Sequence, residues 1–296
     1  MTRLLACLGT ALCLLAGGAL TGPTATAVPV PGVVQPAGSV PAPDGPAQAW
    51  VVADMDTGAV LAARNEHGRY APASTIKILL AMVVLDELPL DATIVANDAD
   101  TLVECNCAGV SPGLTYSTRQ LLEGLLLVSG NDAANTLATM LGGRDVAVAK
   151  MNAKAAAVGA HNTRAGSPSG IDGPGIDIWS TPHDLAVLFR AAMGYPVFAQ
   201  ITAQPTAVFP TRAGDRVLVN QDEMLHRYPG TFGGKTGYTD LARKTFVTGA
   251  QRGGRHLVVA MMYGLVTEGG PTYWDQASAL LDWGFALGPN PGISPL

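Results

Sequence analysis

The chain has 296 residues, 48% of them hydrophobic and only 14% charged, enough apolar material for a large buried core. Its formal net charge is -5 and it has no basic run or stripe, so nucleic acid is excluded as the expected partner. Length alone leaves one large domain or two small ones open.

Met1 to Ala27 carries a basic Arg3, an apolar stretch from Leu4 to Leu20 and an Ala25-Thr26-Ala27 cleavage site, and reads as a secretory signal. Export is expected, to the periplasm, cell wall or medium, with a mature chain from about Val28; losing Arg3 takes the charge from -5 to -6. An uncleaved signal would instead hold the protein at the membrane. Cys105 and Cys107 survive signal removal; one residue apart, they can form a small disulfide in an oxidising compartment or remain a thiol pair, and without histidines at ligand spacing they make a poor zinc site. Residues 28–48 hold six prolines and almost no charge, which predicts an extended, unpacked tether. A catalytic domain is expected over 49–288, with 289–296 as a disordered tail.

Within it, Ala49 to Ala53 and Ala59 to Ala63 read as strands around the turn Asp54-Met55-Asp56-Thr57-Gly58. Asp54 and Asp56 resemble the start of a calcium loop but lack the other ligands, so turn chemistry is expected. Ile78 to Leu85 is apolar on every side of a helix, which belongs in an interior. Further helices are predicted over Leu121 to Val128, Ala133 to Leu141 and Asp145 to Val158, and from Ser180-Thr181-Pro182 to Met193, where hydroxyls can cap and proline suits the first turn. Strands return at Val217 to Val219, Thr245 to Ala250 and His256 to Met262, before a closing helix from Trp274 to Phe285. Strands at both ends of a helical middle predict an α+β domain whose first and last segments share one sheet.

Ser74 and Lys77 stand three apart at the mouth of the buried helix. Serine becomes a nucleophile when a base takes its proton, and lysine is such a base only when neutral, a state favoured by burial and by a second nearby cation. A helix N-terminus would also favour developing negative charge. Taken alone, the pair reads as a helix cap and a snorkelling lysine, since S-x-x-K occurs by chance about once in a chain of this size. Two further stretches change this: Ser129-Gly130-Asn131 between helical segments, and Lys235-Thr236-Gly237 where a strand is expected. S-x-x-K, S-x-N and K-T-G in this order, 55 and 106 residues apart, form the constellation of penicillin-binding proteins and serine β-lactamases.

The likeness extends through P-A-S-T-I-K, L-L-x-S-G-N-D-A-A, M-N-x-K-A, S-T-P-H-D-L-A, G-G-K-T-G-Y-T-D and L-L-D-W-G-F, from about Ala49 to Phe285. Over that span the chain resembles a serine-type D-alanyl-D-alanine carboxypeptidase, a low-molecular-weight penicillin-binding protein. The resemblance implies an antiparallel sheet flanked by helices with a mostly helical subdomain, the active site at their junction, and no metal or organic cofactor. It implies Ser74 as the acylated nucleophile, Lys77 as its base, and Ser129 as a proton relay to the leaving D-alanine. Asn131 would hold the substrate amide and Lys77; Lys235 would keep Lys77 neutral and, with Thr236, grip the substrate carboxylate. Gly237 would keep the strand open to a peptide, and the N–H groups of Ser74 and Tyr238 would form the oxyanion hole. The implied partners are a peptidoglycan stem peptide ending in D-Ala-D-Ala and, as covalent inhibitors, β-lactams.

A β-lactamase shares the acylation chemistry but must hydrolyse its acyl-enzyme quickly, and no glutamate lies between Glu123 and Glu223 to hold the water. Gly109 to Gly113 matches G-x-S-x-G, yet Pro112 lacks the N–H a nucleophile elbow needs. Histidines 67, 161, 183, 226 and 256 then have no nucleophile to serve. A catalytically idle cell-wall binding module is disfavoured by three intact motifs. Departures from the family pattern are Thr272-Tyr273-Trp274, where many relatives carry an arginine that helps bind the terminal carboxylate, Arg243, which could replace that cation or face solvent, and the altered loop Ser167-Pro168-Ser169-Gly170-Ile171.

Overall fold

The computed structural model describes residues 31–266, 268–289 and 292–296. The signal read at 1–27 lies outside them. The chain starts with β1 (Val33–Val34), β2 (Ala47–Asp54) and β3 (Ala59–Arg64), then a 3-10 turn (Ala73–Ile76) running straight into α1 (Lys77–Glu87). A small ribbon of β4 (Thr93–Val95) and β5 (Thr115–Ser117) brackets α2 (Asp98–Thr101). The helices α3 (Thr118–Leu127), α4 (Asn131–Met140), α5 (Arg144–Ala157), α6 (Pro182–Ala192) and α7 (Pro196–Ala203) follow. A hairpin of β6 (Thr206–Thr211) and β7 (Gly214–Val219), then the short α8 (Met224–Arg227), lead to β8 (Thr231–Thr239), β9 (Arg243–Arg252) and β10 (Arg255–Gly264). The chain closes with α9 (Tyr273–Ala286) and β11 (Ser294–Pro295).

The main sheet is antiparallel throughout, in the order β1-β3-β2-β10-β9-β8, with β11 also on β3. First and last segments therefore do share one sheet, and the α+β architecture expected from the sequence is what the chain adopts. Both faces of the central strands are covered. Trp50, Val52, Leu257 and Val259 pack under α9, whereas Val51, Ala53, Val258 and Ala260 join the core formed with α1 and α6. Side chains alternate across a strand, so a strand covered on both sides reads as an unbroken apolar run.

α1 is the centre of the helical side, with every residue from Lys77 to Val84 buried. Each buried leucine, isoleucine, valine or methionine there contributes about 1.5–3 kcal/mol, enough to hold a lysine in the same environment. Hydroxyl caps set the neighbouring helices: Thr181 accepts from Asp184 N ahead of Pro182, and Ser117 and Thr272 form capping boxes with Gln120 and Asp275. Asp54 makes an ordinary turn, accepting from Asp56 N, Thr57 N and Thr57 Oγ1.

Two segments expected to lie free of the domain are packed onto it. Val33 and Val34 pair with Arg64 and Ala63, Ala42 is buried, and the Val40 carbonyl accepts from Trp283 Nε1 at 2.7 Å. At the other end Ser294 pairs with Val60, and the N–H groups of Ile293 and Leu296 donate to Val60 O and Gly58 O, both at 2.7 Å. The physical reason is the outer edge of β3, whose unpaired backbone groups both segments cover. An edge position tolerates a proline-rich strand because only one side needs donors. Val217 to Val219 forms an antiparallel strand as expected, within the separate β6–β7 hairpin.

Candidate active site

The sheet edge β8, the start of α1 and the α3–α4 connection meet at a cleft of about 860 Å³. Ser74, Ser129, Asn131, Thr236, Gly237 and Tyr238 line it. Lys77 and Lys235 lie behind this wall, 0% and 2% exposed, each bonded to a lining hydroxyl. All eight residues singled out in the sequence thus converge, although they come from segments as much as 160 or so residues apart.

Ser74 sits on the 3-10 turn ahead of α1, so three residues of helix carry Lys77 back beside it. Lys77 Nζ has three oxygen neighbours: Ser74 Oγ at 2.7 Å, Asn131 Oδ1 at 2.7 Å and the Ser169 carbonyl at 2.6 Å. The last two can only accept. A neutral amine has two N–H donors and one lone pair, so satisfying both carbonyl oxygens leaves the lone pair facing the Ser74 hydroxyl. Burial pushes the Lys77 pKa well below the ordinary lysine value, and the neighbouring Lys235 lowers it further, against an opposing pull from Asp132. This arrangement can take a proton from Ser74.

Lys235 Nζ donates to Ser129 Oγ at 2.9 Å and to Thr236 O at 2.7 Å, which fixes a second amine–hydroxyl pair across the cleft. Its pKa is lowered by burial to about 7, with Asp222 acting in the opposite direction. Asp222 is itself buried beneath β8 and raised by that burial to about 7.

Backbone constraints hold these groups in place. Ala73 and Ser129 adopt left-handed φ values of 47° and 61°, a conformation costing non-glycine residues about 1–3 kcal/mol and concentrated at functional sites. β8 passes so close to the 3-10 turn that a Cβ on Gly237 would stand 2.9 Å from Ser74 N and collide with Thr245 Oγ1. Thr245 Oγ1 also donates to Pro72 O at 2.8 Å, tying β9 to the segment ahead of Ser74.

The sequence profile described as D-alanyl-D-alanine carboxypeptidase, peptidase family S11, matches residues 37–264. The chain belongs to the D-alanyl-D-alanine carboxypeptidase family. It is 68% identical to the D-alanyl-D-alanine carboxypeptidase DacB2 of Mycobacterium tuberculosis over 263 residues, 89% of this chain and 90% of that protein. A crystal structure of D-alanyl-D-alanine carboxypeptidase from M. tuberculosis H37Rv superposes with a TM-score of 0.87 at 68% identity, covering 89% of this chain and all of that one. The Streptomyces K15 DD-transpeptidase superposes with a TM-score of 0.76 at 29% identity, covering 83% of this chain and 100% of that one.

Several groups at the site of this carboxypeptidase family member were not singled out by sequence reading. The carbonyl of Ser169, in the altered loop at 167–171, touches Lys77, and Gly170 after it has a φ of +88° and no room for a Cβ against the Ala73 carbonyl. A backbone oxygen leaves no trace in residue identity. Asp222 and Lys244 likewise belong to no motif that marks them in the sequence. Lys244 lines the cleft with its Nζ 4.7 Å from the centre of the Tyr238 ring. Arg243, the suggested replacement for the missing arginine, is exposed at the turn between β8 and β9 and does not line the cleft. Cys105 and Cys107 are disulfide-bonded. Ser111 of the G-x-S-x-G stretch donates to Gly109 O and accepts from Arg212 N, away from Ser74, and among the described residues no histidine lines the cleft.

Proposed function

We propose that this chain removes the terminal D-alanine from peptidoglycan stem peptides through an acyl-enzyme on Ser74. The observation that carries this reading is the Lys77 amine, buried and held by two carbonyl oxygens with Ser74 Oγ 2.7 Å away. Lys77 takes the Ser74 proton as the hydroxyl oxygen attacks the carbonyl of the penultimate D-alanine. Donors on the Ser74 and Tyr238 backbone receive the developing oxyanion. The hydroxyl of Ser129, bridged to Lys235, passes a proton to the departing D-alanine nitrogen. Water then releases the acyl group. The peptide lies along the open edge of β8 as an added strand, with Thr236 and Lys244 facing its terminal carboxylate and the Lys235 charge just behind Thr236.

Penicillins are expected to acylate Ser74 and to leave slowly. The oxygens bonded to Lys77 Nζ are those of Ser74, Asn131 and Ser169, and among the described residues no carboxylate is hydrogen-bonded to Ser74 or Lys77 to activate a deacylating water. Export by the N-terminal signal fits a substrate that lies outside the cytoplasm. Mixing the protein with a fluorescent penicillin and with a D-Ala-D-Ala peptide tests the reading. Stoichiometric, long-lived labelling with D-alanine release supports it; rapid drug turnover would make it a lactamase, and neither signal would make it a binding module.

The active protonation state has Lys77 neutral and Lys235 charged. Lys77 is depressed, so rate is lost on the acid side as it gains a proton; Lys235 loses its charge as pH rises through about 7. kcat/KM, which reports the free protein, should therefore fall above about 7. At saturating peptide the bound carboxylate raises the Lys235 pKa, so the alkaline limb of kcat should lie at higher pH. Coincident limbs in the two profiles would contradict the assignment. Lys244→Ala should raise KM for the peptide about 5- to 10-fold, reduced from the full strength of a charged hydrogen bond by solvent exposure. A peptide ending in a carboxamide should show no such difference.

A further inference from the structure

Asn131 controls where the Lys77 lone pair points, and Asn131 is itself held by one irregular segment, residues 104–110. Its Nδ2 donates to Glu104 O at 2.7 Å and its backbone N–H donates to Asn106 O at 2.7 Å. With the amide nitrogen engaged there, the amide oxygen is the atom left to face Lys77. A flipped amide would turn its N–H groups toward the Lys77 N–H groups and its oxygen toward the Glu104 carbonyl oxygen, an acceptor facing an acceptor.

The segment has no helix or strand to hold its shape between Leu102 and Leu114, so its backbone groups are fastened one by one. Asp132, 1% exposed, accepts from Ala108 N on one oxygen and from Gly109 N and Val110 N on the other, all at 2.8 Å. Arg216 of β7 donates to Cys107 O at 3.0 Å and Ala108 O at 3.1 Å. The segment also presses on the motif itself, since a Cβ on Gly130 would stand 3.0 Å from Ala108 N. Those bonds fasten residues 107–110. The two carbonyls that hold Asn131 belong to residues 104 and 106, and besides the main chain the disulfide between Cys105 and Cys107 is a second covalent link from them to the fastened part.

We propose that the Cys105–Cys107 disulfide is a positioning element for the reaction: it keeps the carbonyls of Glu104 and Asn106 on Asn131, so that Asn131 Oδ1 stays on Lys77. This rests on the reading of Ser74 as the acylated residue and adds a redox-sensitive control to it. Cys105 is exposed and lines the cleft, so reductant can reach it. Reduction by a dithiol moves two electrons and two protons to the bridge, giving two cysteine thiols and the cyclic disulfide of the reductant. The loop then loses its shape, Asn131 gains rotational freedom, and the Lys77 lone pair is no longer aimed only at Ser74. A bridge across a single intervening residue closes a very short loop, so it constrains the unfolded chain less than a longer one would. The effect should fall on rate more than on stability.

The test follows acylation by a fluorescent penicillin over a range of probe concentrations. It compares the oxidised protein, the same protein reduced with dithiothreitol and freed of reductant under argon, and Cys105→Ser/Cys107→Ser. Misplacement of a catalytic group by about 1 Å can cost 10²-fold, so the maximal acylation rate should fall about 10- to 100-fold in the reduced and serine forms. The half-saturating probe concentration should change little, reoxidation should restore the rate in the cysteine form, and dithiothreitol should not affect the serine form. Melting temperatures should agree within about 5 °C. Equal maximal rates in the oxidised and reduced protein would overturn the proposal, and so would a rate loss matched by collapse of the melting transition, which would make the bridge a global staple. Absence of labelling in the oxidised protein would overturn the acyl-enzyme reading itself.

Discussion

Ser74→Ala is expected to abolish D-alanine release and covalent penicillin labelling, a loss of about 10⁶-fold in kcat if the residue is the nucleophile of a concerted catalytic unit. The fold should survive. Ser74 contributes one hydroxyl, and Lys77 keeps its bonds to Asn131 and Ser169 when that hydroxyl is removed. Peptide binding should survive as well, because the groups facing the peptide are the β8 edge, Thr236, Asn131 and Lys244. The check is calorimetric binding of a D-Ala-D-Ala peptide beside chromatographic assay of released D-alanine. Labelling that persisted in the variant would transfer the nucleophile to Ser129, the other hydroxyl in the cleft that contacts a buried lysine.

Lys77→Met separates chemistry from packing. Methionine fills a similar volume on the buried helix α1 and removes the amine. Loss of a general base predicts a fall of about 10²- to 10⁴-fold in acylation rate. Two effects on stability oppose each other. The Asn131 and Ser169 oxygens lose a donor, which costs about 1–3 kcal/mol for each buried group left unsatisfied, while the expense of burying an amine disappears. A shift in melting temperature of only a few degrees is therefore expected, with the acid limb of the pH profile gone because its titrating group is gone. Retention of that limb would assign it to a group other than Lys77. A rate within a few-fold of the parent would overturn the base assignment.

Much of this molecule is written in local pattern. The helix after Ser74, the hydroxyl-capped start of α6, the β9–β10 hairpin and the closing helix are each specified by residues adjacent in the chain, and each forms where expected, within a few residues. Ser74 and Lys77 are brought together by helix geometry alone, because residues three apart share a face. The three motifs also point to the family from residue types and order alone.

The segments at 33–34 and 292–296 show where local pattern stops. Prolines and low charge suggested free ends, yet both ends cover the open edge of β3, and an unpaired edge is a property of the assembled sheet rather than of either segment. The site divides in the same way. Residue types named Ser74, Lys77, Ser129, Asn131, Lys235 and Thr236, but the carbonyls of Ser169, Glu104 and Asn106 decide which atom of Asn131 meets Lys77 and where the amine's lone pair points. Every residue has a carbonyl, so its chemistry carries no mark in the sequence. The pKa of Lys77 is likewise a consequence of what surrounds it: the amine is an ordinary lysine in the sequence, and its pKa falls only when folding strips away water and sets Lys235 beside it.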